Sequence, residues 1–322
     1  MKILITGGAG FIGSHLTEAL LKRGDEVIIA DNFSTGSRDN LFPVNGRMAR
    51  VVEMDVASDK EQLRELIAEA DVIFHLAAAV GVELVVSQPV HTIETNIDGS
   101  ANVIKLAAEY GKRLFIASTS EVYGKSSHEE FSEDDDLLIG SPLNSRWSYA
   151  CSKLMDEFYL MAYVRSCNLA GTVVRFFNTV GPRQTGRYGM VIPRFVRNAL
   201  KNSPLQVYGD GGQSRCFCHV SDVVRALLLL LEKPESVGRI YNIGSRNLVT
   251  IRQLAEKVID IAGSSSTIEL VPYHIAYAEG FEDMRRRMPA TGKIKELTGW
   301  QAEITLEEII SDVIAYEKSK QN

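Results

Sequence analysis

The sequence predicts an α/β protein: a doubly wound parallel sheet of Rossmann type with a smaller, interleaved α/β substrate-binding lobe. Three observations carry this. Short β-branched apolar runs alternate with longer stretches of helical period through the first half of the chain. Runs such as Ile73-Phe-His-Leu-Ala77 and Leu114-Phe-Ile-Ala-Ser118 are nearly continuous in apolar character, as strands covered on both faces are. A glycine-rich turn follows directly on the first such run.

In chain order, the expected strands are Lys2–Thr6, Glu26–Ala30, Arg50–Met54, Val72–Leu76, Leu114–Ser118 and Thr172–Phe176. Helical period places amphipathic helices between them at Phe11–Arg23, Lys60–Ala68, Pro89–Tyr110 and Ser148–Ser166. After Phe176 the rhythm breaks. Gly181, Pro182, Gly186, Gly189 and Pro193 punctuate a loop, a helix covers about Val191–Lys201, and a turn-rich stretch surrounds Gly209-Asp-Gly-Gly212. Ser221-Asp222 is the expected cap of a helix running to Lys233, and Arg239–Gly244 reads as one more strand of the main sheet. The expected division is residues 1–178 as the dinucleotide-binding domain, with a return near 215–245, and 179–322 mainly as the substrate lobe.

Composition excludes several classes. The 322 residues are 45% apolar, enough for a sizeable core. The 41 acidic residues outnumber the 35 basic ones, and the basic ones are scattered, which argues against a nucleic-acid surface. The longest aliphatic run, Leu227 to Leu231, falls far short of the ~20 residues that cross a bilayer. Glycines interrupt the opening apolar segment and no cleavage site follows, so the expectation is a soluble, cytoplasmic protein. Four cysteines are too few for a disulfide scaffold, and Cys216-Phe-Cys218 lacks a second pair for zinc. Reduced, packed cysteines and no metal are expected, and the acidic run Glu133–Asp136 reads as a solvated loop.

The first strand runs into Gly7-Gly-Ala-Gly10-Phe11-Ile12-Gly13 and then a helix, placing the glycines in the first βα turn, where dinucleotides bind. Glycine there lets backbone approach a pyrophosphate, whose charge is met by N–H groups at the helix start. Asp31, at the end of the second strand, is placed to accept from the adenosine ribose hydroxyls and to repel a 2′-phosphate, which favours NAD over NADP. Neighbouring Asn32 joins it, Asp55 and Val56 after the third strand are placed for adenine, and Leu76, Ala77 and Ala78 after the fourth for the cofactor ribose.

Tyr149 and Lys153 stand four apart on one helix face. They lie downstream of a dinucleotide fingerprint, beside Ser118-Thr119-Ser120-Glu121 at a strand end. In that setting they read as a proton-transfer pair: an ammonium and an oxidised nicotinamide nearby would stabilise a phenolate whose reference pKa is ~10. The phenolate takes a proton from a sugar hydroxyl as the cofactor takes the hydride.

With these motifs the chain resembles the extended short-chain dehydrogenase/reductases that modify nucleotide sugars. The resemblance runs from TGGAGFIGSHL through HLAA, STSEVYG and YACSK to RFFNTVGPR, VYGDGGQSRCFCHVSD and RRRMP. It implies NAD kept bound through a full cycle, a UDP-sugar gripped by the second lobe, and oxidation at C4 by Tyr149 and Lys153 with Thr119 on the same hydroxyl. It also implies a homodimer through the helices near Pro89–Tyr110 and Ser148–Ser166.

Family members diverge after the 4-keto sugar forms. Ser120-Glu121, Arg146-Trp147 before the tyrosine, and Phe281-Glu-Asp-Met-Arg-Arg-Arg287-Met-Pro289 resemble UDP-glucuronate decarboxylases, including UDP-xylose synthases. In that reading Glu121 orients the sugar or a water near C5 and C6, and Arg287 stabilises the enolate or assists protonation at C5. His75-Leu-Ala-Ala-Ala-Val-Gly-Val-Glu-Leu84 and the stretch from Phe177 to Phe195 resemble epimerase segments, so a UDP-glucose or UDP-glucuronate 4-epimerase is the alternative. A 4,6-dehydratase and an inactive Rossmann sensor are lesser ones. Asn178, Arg187, Arg215 and Arg287 are the candidate diphosphate and sugar donors, while Val82, Val191 and Tyr208 are candidate walls of the base or sugar pocket. His75 and His219 read as satisfied core histidines, and Arg285 and Arg286 as a solvated face.

Overall fold

The computed structural model describes residues 1–81, 88–185, 190–276 and 284–320. Val82 and Arg187 lie outside them, as does the Phe281-Glu-Asp part of the decarboxylase-like segment.

Six strands form in sequence order: β1 (Lys2–Thr6), β2 (Glu26–Asp31), β3 (Arg50–Glu53), β4 (Val72–His75), β5 (Arg113–Thr119) and β6 (Gly171–Phe176). With Arg239–Ile243 they make a seven-stranded sheet whose order is Arg239–Ile243, β6, β5, β4, β1, β2, β3. Every pairing is parallel. Each expected boundary falls within one residue of the observed one.

The continuous apolar runs have the expected cause. Ile3, Ile5, Ile29, Phe74, Phe115 and Val174 pack into one core with the helices Phe11–Arg23 and Val220–Leu231. Their alternating neighbours Leu4, Ile28, Ile73, Leu114, Ile116 and Val173 pack into a second core on the opposite face. There they meet the helices Lys60–Glu69, Pro89–Glu109 and Trp147–Cys167. A strand whose successive side chains all face protein has no polar face to show.

A third core holds Ile192, Phe195, Leu205, Leu254, Val258, Ile310 and Val313, away from the main sheet. Around it run two small sheets: Leu205–Tyr208 beside Ile268–Val271, and Ser214–Cys216 flanked by Leu248–Thr250 and Arg286–Arg287. The chain comes back twice to the first core, at the Cys218–Ile243 stretch and again at Ile294 and Trp300. The second return was not anticipated; its signal is Trp300, one of two tryptophans in the sequence, whose indole N–H donates to the Asp222 carbonyl at 3.0 Å.

Three local expectations are corrected. The cap of helix Val220–Leu231 is His219, whose Nδ1 accepts the Ser221 N–H at 3.2 Å. Asp222 instead accepts from Arg225 and from the backbone of Glu303 and Ile304. Within the acidic run, Glu133 is buried and accepts the Asn242 N–H at 2.8 Å, and only Asp134 and Asp136 are exposed. The cysteines are free, but Cys151 and Cys167 are exposed, so only Cys216 and Cys218 are packed as expected.

Candidate active site

Because all strands of the main sheet run the same way, β1, β2, β4, β5 and β6 end on one edge, and a cleft of about 660 Å³ opens there between sheet and second lobe. Every site residue anticipated from sequence and lying among the described residues lines this cleft.

At one end the glycine turn is built largely by the protein's own packing. Gly7 has φ +72°, and a Cβ on it would sit 2.8 Å from the Ala77 nitrogen; a Cβ on Gly13 would sit 2.2 Å from the Gly7 oxygen. Gly10 differs: its Cβ would meet only the Gly7 oxygen, at 3.1 Å, and the position faces the cleft. No side chain caps the helix that begins beside it, so the first turn presents backbone N–H groups to the cleft. This uncapped helix start, with a side-chain-free Gly10 beside it, fits a dinucleotide pyrophosphate.

Asp31 is buried and accepts the Ala9 N–H at 2.9 Å and the Phe33 N–H at 2.8 Å, tying the glycine turn to the end of β2. Burial raises its carboxyl above the usual range against these two bonds. Asn32 donates to Asp55 at 2.9 Å, which fixes the loops after β2 and β3 together.

His75 is a satisfied core histidine. Its Nδ1 lies 2.7 Å from Thr6 Oγ1 and its Nε2 lies 3.1 Å from Ser100 Oγ; burial, aided by the Lys153 charge, pushes it down to about 3.

At the centre, β5 ends at Thr119, whose Oγ1 accepts the Glu121 N–H at 3.2 Å and shares a hydrogen bond with Tyr149. Burial drives the Tyr149 phenol well above its usual range, and the carboxylates of Glu121 and Asp156 add to the rise. Lys153 is buried with its Nζ 2.7 Å from Asp156. The sequence expectation has the ammonium and an oxidised nicotinamide together stabilising the phenolate; here the ammonium is paired with Asp156. Ser118 lines the cleft but gives its hydroxyl to Glu157, which also holds Arg175 through two parallel bonds.

At the other end Glu121 sits between two arginines. Arg287 Nη1 lies 2.7 Å from its Oε1, and Arg146 Nη2 lies 3.2 Å from its Oε2. Burial alone would raise this carboxyl, but Arg287, Arg146 and Arg215 overcome it and hold it at about 2. A group this acidic donates no proton at neutral pH, so it serves as an anchor for cations. Two strand registers deliver Arg287: Arg286–Arg287 lies parallel to Ser214–Arg215, and Phe131 bonds to Met288 and Ala290 on the other side.

Arg194 stacks 4.2 Å over the Tyr208 ring, and Gln213 donates to the Tyr208 carbonyl at 2.9 Å. Asn178 lines the cleft, but one of its amide N–H groups is engaged with the Cys216 carbonyl at 3.0 Å. Arg146, Arg194 and Gln213 were not among the anticipated site residues. Only Arg146 left a sequence signal, its place three residues before the tyrosine. Arg285 and Arg286 are exposed, as expected.

Residues 3–244 match the model of the NAD dependent epimerase/dehydratase family. The chain belongs to this family. A UDP-N-acetyl-alpha-D-glucosaminuronate decarboxylase of Bacillus cytotoxicus is 41% identical over 322 residues, covering 100% of this chain and 99% of that protein. UDP-glucuronic acid decarboxylase 1 of Arabidopsis thaliana is 37% identical over 310 residues, 96% of this chain and 68% of the relative. Among solved structures, the UDP-glucose 4-epimerase of Thermotoga maritima with UDP-glucose superposes with a TM-score of 0.90 at 32% identity and covers all of both chains. NAD is the family's cofactor, in agreement with the glycine turn and Asp31, and the members are enzymes of nucleotide sugars. Among the described residues no helix is long and apolar enough to cross a membrane.

Proposed function

We propose that this enzyme is an NAD-dependent decarboxylase of a UDP-linked uronic acid, giving a UDP-pentose or UDP-4-keto-pentose. One observation carries the reading: two buried arginines, Arg146 and Arg287, converge on Glu121 in the wall of the cleft that Tyr149 and Thr119 also line, a cationic place suited to a sugar carboxylate. The decarboxylase names of the relatives point the same way.

Bound NAD supplies a hydride acceptor at C4, a positive charge beside the phenol while oxidised, and a hydride donor once CO₂ has left. Tyr149 takes the C4 hydroxyl proton, with Thr119 holding the same oxygen. The uronate carboxylate is then β to a ketone, so its C–C electrons can flow toward O4. Tyr149, now carrying the C4 hydroxyl proton, and Thr119 donate to the developing enolate oxygen. Arg287 and Arg146, fixed by Glu121, hold the carboxylate, and Arg287 assists protonation at C5. Glu121 thus positions cations, in place of the acid–base part a free glutamate would play. Arg215, Arg194 and Tyr208 are the proposed diphosphate and base contacts, with Val191 and Asn178 as pocket wall.

The 41% identity to an acetamido-uronate decarboxylase favours a substrate with a 2-acetamido group over plain UDP-glucuronate. Incubation with each uronate, reading CO₂ release and resolving products by NMR, tests the proposal. A C4-inverted sugar that keeps its carboxylate from both would overturn it and leave the epimerase reading.

The division of the chain at residue 178 belongs to the same proposal, supported by the separate third core. So does a homodimer: Met155 and Phe158 on helix Trp147–Cys167 and Val90 and Ile93 on helix Pro89–Glu109 are exposed, on two helices that pack against each other. A cytoplasmic location is supported by four free thiols.

A further inference from the structure

Lys153 does not stand alone in the wall of the cleft. Its Nζ is 2.7 Å from Asp156 Oδ2, and both side chains are 3% exposed. Asp156 in turn accepts from Ser100, on the neighbouring helix Pro89–Glu109. Ser100 Oγ is 3.1 Å from His75 Nε2, and His75 Nδ1 is 2.7 Å from Thr6 Oγ1, on the strand that enters the glycine turn. All five residues are buried.

The donors in this chain have one consistent direction. Because Ser100 gives its proton to Asp156, its oxygen accepts from His75 Nε2–H. His75 is therefore the Nε2–H tautomer, and its Nδ1 accepts from the Thr6 hydroxyl. A neutral imidazole, as its burial requires, serves both bonds. Each hydrogen along the line points toward Asp156, and an ionised carboxylate facing an ammonium and a hydroxyl donor is the charge state this arrangement fits.

We propose that Asp156 is a positioning residue for catalysis: through its ion pair with Lys153 it holds the ammonium in the wall of the cleft, and its charge sets the pH range in which Tyr149 works. The charged and titratable groups around it are Lys153, Tyr149 and Glu157 on its own helix and His75 across Ser100; Glu121 acts on Tyr149 from the turn after β5. Glu157 is neutralised by Arg175 at 2.7 Å, and His75 is uncharged, which leaves Asp156 as the carboxylate that answers Lys153.

A nearby negative charge raises the proton affinity of both members of the pair. Its removal therefore moves both macroscopic dissociations to lower pH, whichever residue each proton belongs to. This inference rests on C4 oxidation by Tyr149 and Lys153, which the decarboxylase and epimerase readings share. Its test needs no sugar.

The measurement is tyrosinate absorbance near ~295 nm against pH on the NAD-loaded protein, with the Tyr149→Phe counterpart of each variant subtracted to isolate Tyr149. Asp156→Asn, which keeps shape and loses charge, is expected to lower the Tyr149 midpoint by about one pH unit. With a sugar that is turned over, both limbs of the pH–kcat curve should move acidward with it. Asp156→Glu should return the midpoint most of the way. Should Asp156→Asn not fold, Lys153→Met/Asp156→Asn is expected to regain Tm over either single variant, because it strands no buried charge. An Asp156→Asn protein with lower kcat but an unmoved midpoint and unmoved limbs would overturn the proposal, as would additive Tm losses in the double variant.

Discussion

Arg287 donates to Glu121 at 2.7 Å across 166 residues of sequence, and this bond joins two walls of the cleft at the end away from the glycine turn. Glu121 follows the strand that carries Thr119, while Arg287 arrives on a two-residue strand paired with Ser214–Arg215. With Arg146 on its other oxygen, Glu121 holds two buried cations together.

Replacing Glu121 by Ala frees those cations and leaves Tyr149 and Lys153 in place. C4 oxidation should persist, so bound NADH absorbance should still appear on adding a UDP-uronate, while CO₂ release falls by ~10²–10⁴. An enzyme that only inverts C4 would lose little and release no CO₂ in either form.

Tyr149→Phe should suppress both signals together, because the hydride cannot leave C4 until the hydroxyl proton has an acceptor. Stopped-flow absorbance of NADH reads this directly, and UDP-sugar affinity measured by calorimetry should stay within about threefold, the scale of a lost neutral hydrogen bond.

The glycines separate into two kinds. Gly10→Val should purify folded but without NAD, since the side chain enters the cleft. Gly13→Ala should lose Tm as well, because its Cβ meets the Gly7 oxygen at 2.2 Å. Asp31→Ala should retain less NAD on gel filtration and discriminate less against NADP.

Acid destabilisation should trace to buried neutral histidines. His75 is pushed from an ordinary 6.5 down to about 3, and His15, partly buried beside the Pro182 carbonyl, to about 4. The unfolded chain therefore binds these protons first. The stability from each is complete above pH 6.5 and is lost as pH falls toward the folded values, by about 1.4 kcal/mol per pH unit per histidine. Denaturant titrations between pH ~6.5 and ~4.5 should show a shallower slope in His15→Gln than in wild type.

Phe158→Glu together with Met155→Glu should convert the proposed dimer to a monomer by light scattering while leaving the NAD content unchanged. A wild-type protein that is monomeric at micromolar concentration would remove the dimer from the reading.

The fold was legible because both faces of the sheet are covered: each strand must be apolar throughout, and each crossover helix carries its own period. The nucleotide end was legible for a related reason, since the glycine turn, Asp31 and the β-strand ends are local in sequence, and one parallel sheet puts them on one edge. Spacing alone placed Tyr149 above Lys153. What the sequence left open depends on which distant side chain meets which. No local pattern says that Ser118 serves Glu157, or that Glu133 in an acidic run is buried against Asn242. His219 capping its own helix was missed because Ser and Asp at the next two positions are the commoner caps. The sequence reading has Glu121 orient the sugar or a water, and only the arrival of Arg146 and Arg287 from elsewhere in the chain gives it two cations to hold and lowers it to about 2. Charge state is a property of the assembled neighbourhood, because coulombic interaction and burial act through space and sequence distance does not enter either.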